Sequence, residues 1–199
     1  MSFVLLFFIV QGSYAQFFPV DTTVLNNSYR ELLKEPHSLL KQRTYFDAFP
    51  STWEEFRLTY GYFPDKGYDL SMYFLSKEHV PAFAEILPNM PDSLVVFKII
   101  DLSIGGRWGA DAPGYLQNAF REYIKQFPTQ IFDALDFYSD GKQLRFWQFI
   151  YSNPVRKKIF LEMVLNLVEQ MDGEKYRHRL KIMCTAFDFA NDEESPKSR

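Results

Sequence analysis

Between Asp92 and Ala190 apolar residues return every three or four positions, and glycine or proline interrupts the pattern after runs of about three turns. Residues 155–171 are the clearest case: Phe160, Met163, Val164, Leu167, Val168 and Met171 form one stripe, as in a helix with one buried face. No window of five or more residues alternates with period two, so strands have nothing to build on. The expected fold class is all-α.

Helix starts and stops are written locally. Tyr29, Leu32, Leu33, Leu39 and Leu40 place a helix over 28–42, which Pro36 must kink or divide. Ser51 or Thr52, with Glu54 or Glu55 three residues on, is a capping box, and the helix it opens stops at Gly61. Residues 62–69 read as a turn, and helices follow over 70–76 and 77–87, closed by Pro88 and Pro91. Further on, Asp92 or Ser93 caps 94–104, and Pro113 opens 113–127. Pro128 opens a helix ending at Asp140-Gly141, and 142–152 stops before Pro154. The stripe 155–171 ends at Gly173, and 174–190 is the last helix. Gly105, Gly141 and Gly173 then each close an apolar helix, a rhythm shared with short α-solenoids over 92–190. The alternative arrangement is an irregular multi-helix bundle.

Phe3–Val10 is eight apolar residues, too short for a bilayer that takes about 20. Ser13-Tyr14-Ala15 puts small residues at the −3 and −1 positions of a cleavage site. The expectation is a signal peptide over 1–15, with Gln16 first in the mature chain and export to the periplasm or the extracellular space. Met1-Ser2 lacks the usual basic residue, and the other reading is a cytoplasmic protein with a buried N-terminal element. Residues 16–190 are expected to form one helical domain and 191–199 a disordered polar tail. The single cysteine, Cys184, excludes an internal disulfide and reads as a small core residue. The 36 aromatics (21 Phe, 12 Tyr, 3 Trp) are spread along the helices, so most should fill the core.

The inventory of chemistry is largely negative. His37, His79 and His178 have no metal-ligating residue at helical spacing, and there is no HExxH, GxSxG, SxxK or P-loop. His178 lies six residues before Cys184, which is not one helix face, so no base is placed for a thiol nucleophile. Asp65–Asp69 resembles a calcium loop in part, but Ser76 stands where the bidentate acid belongs. No cofactor or metal is expected. Asp101, Asp111, Asp133 and Asp136 are the carboxylates from which a hydrolase could be assembled, since glycosidases need two across a cleft; surface solvation is the simpler explanation.

Charge is uneven. Residues 16–140 hold 11 basic and 17 acidic side chains, net −6, whereas 142–181 hold 9 and 4, net +5, in a chain of net charge −3. Arg156, Lys157, Lys158, Arg177 and Lys181 form the core of the basic third, and the Gly-rich loop 105–114 adds Arg107 and Trp108, residue types favoured at binding hot spots. These seven are the candidate partner-binding residues, set against a plainly solvated helix face and loop. An acidic protein suits them; nucleic acid does not fit export and an acidic chain.

Phe49-Pro50-Ser51-Thr52-Trp53-Glu54-Glu55-Phe56, with Leu58-Thr59-Tyr60-Gly61-Tyr62 after it, resembles a segment of small uncharacterised helical bacterial proteins. The resemblance implies a helical fold and brings neither an activity nor site residues. The functional expectation is an exported, non-enzymatic helical interaction or adaptor protein. Its alternatives are an immunity-type inhibitor of a toxin and a hydrolase with a carboxylate site.

Overall fold

A computed structural model describes residues 20–61, 71–153 and 158–192. The signal-peptide expectation therefore lies outside the described residues, as do the 62–69 turn, Arg156, Lys157 and residues 193–199. Among the described residues the fold is all-α, with ten helices and no strand. They are α1 (Thr22–Lys34), α2 (Leu39–Ala48), α3 (Trp53–Tyr60), α4 (Ser71–Ile86), α5 (Asp92–Ser103), α6 (Ala112–Gln126), α7 (Pro128–Leu135), α8 (Asp140–Tyr151), α9 (Lys158–Gln170) and α10 (Arg177–Asp192).

Local signals set many of the ends. Asp21 caps α1 by accepting from the backbone N–H groups of Thr23 and Val24, and the chain divides around Pro36 before Ser38 caps α2. Thr52 and Glu55 make the expected capping box of α3, which ends at Gly61. The structure departs from expectation elsewhere: α1 and α2 together run from Thr22 to Ala48, not over 28–42, and α7 stops at Leu135. α4 is one helix that carries Pro81 inside it, not two helices. α5 begins at Asp92 behind Pro91, with no side-chain cap. Gly141 is the second residue of α8 and closes nothing.

That last correction removes the glycine rhythm behind the solenoid expectation. Helices pack mainly on those one or two places along the chain (α1 on α2, α4 on α6, α5 on α7, α8 on α10), but α5 also packs on α8. That longer reach makes an irregular bundle, not a strip of hairpins. Its buried side chains belong to one cluster from Leu25 to Ala186. Phe49 stacks on Phe83 with ring centroids 4.0 Å apart, and Trp53 meets Phe149 at 5.4 Å, joining the two halves of the chain.

Helix ends inside this core raise a polar problem, because the last four carbonyls of a helix have no partner within it. Buried cations on neighbouring helices meet three of those ends. Lys98 of α5 donates to Phe46 O and, at 2.7 Å, to Phe49 O at the end of α2. Arg121 of α6 donates to Ile150 O at 2.8 Å, and Gln117 beside it to Phe149 O at 2.6 Å, at the end of α8. Arg179 of α10 donates to Phe132 O at 2.9 Å in the last turn of α7 and pairs with Asp136. Each cation also meets the negative end of a helix dipole. Arg179, between Arg177 and Lys181 in the basic third of the sequence, is buried and structural.

Candidate functional site

The loop between α5 and α6 is built by its glycines. Gly105 has φ +87°, a left-handed conformation that lets the chain turn off α5, and Gly106 N–H then bonds to Ser103 O at 2.9 Å. A Cβ on Gly106 would collide with the ring of Phe149, so the loop lies hard against α8. At its far end Asp111 accepts from Tyr73 Oη at 2.6 Å. Between these anchors Arg107 and Trp108 project outward, with Trp108 42% exposed.

They line a cleft of about 690 Å³ whose other walls are Arg145 and Gln148 of α8, Ser152 and Asn153 beyond it, and Phe189 and Ala190 of α10. Phe189 is 50% exposed. Among the described residues no carboxylate lines the cleft, and neither Arg107 nor Arg145 has an ion-pair partner there. The rim at Ser152 is held firmly, because Gln117 Nε2 donates to Ser152 O at 3.0 Å and to its hydroxyl at 2.9 Å. Two guanidiniums without an ion-pair partner among the described residues and two exposed aromatic rings thus stand around one opening, a setting for carboxylates beside apolar side chains.

Of the seven sequence-derived residues, Arg107 and Trp108 are at the cleft. Arg177 and Lys181 are on α10 but not in it: 12 and 8 residues before Phe189, they sit roughly 18 and 12 Å away along the helix. Arg177 is paired with Glu174 at 2.6 Å. Lys158 opens α9, but its side chain, like Arg156 and Lys157, is outside the described residues. Sequence reasoning missed Arg145 and Phe189. A signal existed for the first: Arg145, Gln148 and Ser152 recur at i, i+3 and i+7, a polar stripe facing away from Phe146, Trp147 and Ile150.

The four candidate hydrolase carboxylates have separate partners. Asp101 accepts from Tyr138 Oη at 3.0 Å, Asp111 from Tyr73, Asp133 lies 2.7 Å from Lys175 Nζ, and Asp136 is held by Arg179. Among the described residues no group of three or more His, Cys, Asp or Glu could hold a metal, and no helix is long and apolar enough to cross a membrane. Cys184 is half-buried, and burial raises its thiol pKa, the opposite of activation.

A further polar cluster is closed inside the core. His79 Nδ1 lies 3.0 Å from Tyr60 Oη, Tyr45 Oη donates to the His79 carbonyl at 2.8 Å, and the Tyr29 ring packs 4.4 Å from the imidazole. His79 Nε2 is buried without a hydrogen-bond partner, and burial pushes the imidazole pKa down to about 4.

No protein family matches the chain, and neither curated proteins nor solved structures give a significant match. Its function has to be read from its own surface.

Proposed function

We propose that the chain is an exported, non-enzymatic interaction protein that holds an acidic segment of a partner protein in the cleft of Arg107, Trp108, Arg145 and Phe189. The observation that carries this reading is the pair of arginines without a carboxylate among the described residues, set between two exposed rings. Guanidiniums bind carboxylates through two parallel hydrogen bonds, and aromatic rings supply apolar contact at little entropic cost. Should the partner be a toxin encoded beside it, the protein is an immunity-type inhibitor of the same design.

Affinity capture from the native cell-envelope fraction tests the reading. Wild-type bait should retain a stoichiometric acidic partner, and the double substitution Arg107→Glu, Arg145→Glu should weaken capture at least about tenfold through like-charge repulsion. Equal capture by the double variant overturns the cleft as the site, and repeated failure to capture any partner overturns the function. Export rests on the Phe3–Val10 run and the small residues at 13 and 15. N-terminal sequencing of secreted protein should begin at Gln16; a chain starting at Met1 dismisses cleavage.

A further inference from the structure

On the acidic half of the molecule a groove of about 430 Å³ runs between α4 and α6, and its chemistry is the reverse of the arginine cleft. Ala84 of α4 and Ala119 of α6 are small and half-buried there, leaving space that a longer side chain would fill. Tyr115 and Tyr123 stand one turn before and one turn after Ala119, and Tyr115 is 42% exposed. Glu85 and Glu122 add two carboxylates to the lining, and among the described residues no basic side chain is part of it. Glu122 shares its charge with Lys125 in an exposed pair at 2.6 Å, a contact that costs little to exchange. Glu85 is exposed and has no ion-pair partner among the described residues.

We propose that this groove is a second docking site, for an amphipathic helix of a partner protein that presents one bulky apolar side chain flanked by Lys or Arg. The apolar side chain sits over Ala84 and Ala119 between the two tyrosines, and the flanking cations meet Glu85 and Glu122, the helix-in-groove mode of recognition. A volume at the lower end of ligand pockets suits the side chains of one helix face. Charge decides against the chain's own α9 as the occupant. The exposed apolar stripe of its own α9, Leu161, Leu165 and Val168, is bordered by Glu162 and Glu169, which would face the groove's carboxylates. Two sites of opposite charge, one before α6 and one along it, give an adaptor that distinguishes its two partners electrostatically.

The test uses the full chain and a fluorescein-labelled helical peptide of about 18 residues made of Leu and Lys, with a Leu/Glu peptide of equal length as control. Anisotropy should show binding of the Leu/Lys peptide alone. Ala119→Phe, which fills the groove without changing charge, should raise its Kd at least about tenfold, and Glu85→Gln about threefold. Arg107→Glu with Arg145→Glu should leave this binding intact, which separates failure here from failure of the arginine cleft. Unchanged affinity in Ala119→Phe, equal binding of the Leu/Glu peptide, or self-association that Ala119→Phe abolishes would each overturn the proposal. If Ala119→Phe melts before it can be titrated, unchanged affinity in Glu85→Gln overturns it instead.

Discussion

Replacing Lys98 with methionine should lower stability by about 3 kcal/mol, the cost of leaving two buried carbonyls without a donor. The substitution keeps the length and apolar stem of the side chain, so packing against Phe46 and Phe83 is largely retained. What disappears is the ammonium that donates to Phe46 O and Phe49 O and lies 4.6 Å from the Phe46 ring. Burial pulls the Lys98 pKa down to about 8. The amine nevertheless stays protonated at pH 7, where it neutralises the negative end of α2. In a chain of this size the loss corresponds to a melting temperature lower by about 6 to 12 °C. Lys125→Met is the matched control. It removes an exposed pair with Glu122 and should change stability by less than about 0.5 kcal/mol. Equal melting temperatures for the two variants would show that the clamp on α2 contributes nothing.

Acid should destabilise the protein through His79. In the unfolded chain this imidazole titrates near its ordinary value of 6.5, whereas the folded core holds it neutral down to about 4. Above pH 6.5 both states are neutral and nothing is lost. As pH falls from 6.5 to 4 the unfolded state takes up a proton that the folded state refuses, so stability drops, by about 3 kcal/mol in all. The tyrosines around it, Tyr45 and Tyr60, are pushed still further above their ordinary value by burial and do not change charge in this window. Urea melts at pH 7.0 and 4.5 should therefore differ more for the wild type than for His79→Phe, which keeps the ring and removes the titration. The same pH dependence in both proteins would assign the acid sensitivity elsewhere.

The elements that were legible in the sequence were those whose ends are decided within a few residues. Thr52 and Glu55 close a reciprocal cap by themselves, Pro36 marks the break between α1 and α2, and Gly105 takes a left-handed turn at no steric cost. The break between α7 and α8 has no such mark, since residues 133–139 contain neither glycine nor proline. There the backbone tightens, with Asp136 N–H turning back to Asp133 O, while Arg179 from α10 takes the carbonyl of Phe132. That donor comes from 47 residues away. The candidate site divides in the same manner. Arg107 and Trp108 were visible because a glycine-rich loop advertises itself, but Arg145 and Phe189 join them only because α8 and α10 pack together beneath that loop.

By itself the sequence determined the helical class, the limits of α3, the break at Pro36, the turn at Gly105 and the split between an acidic front and a basic third. All of these depend on local spacing, capping and composition. Only the tertiary structure decided which charges are available to a partner. Arg179, Lys98 and Arg121 are consumed by buried carbonyls, whereas Arg107 and Arg145 have no ion-pair partner among the described residues. A charge acts outward only when no group folded against it has already satisfied it, and that depends on contacts between residues far apart in the chain.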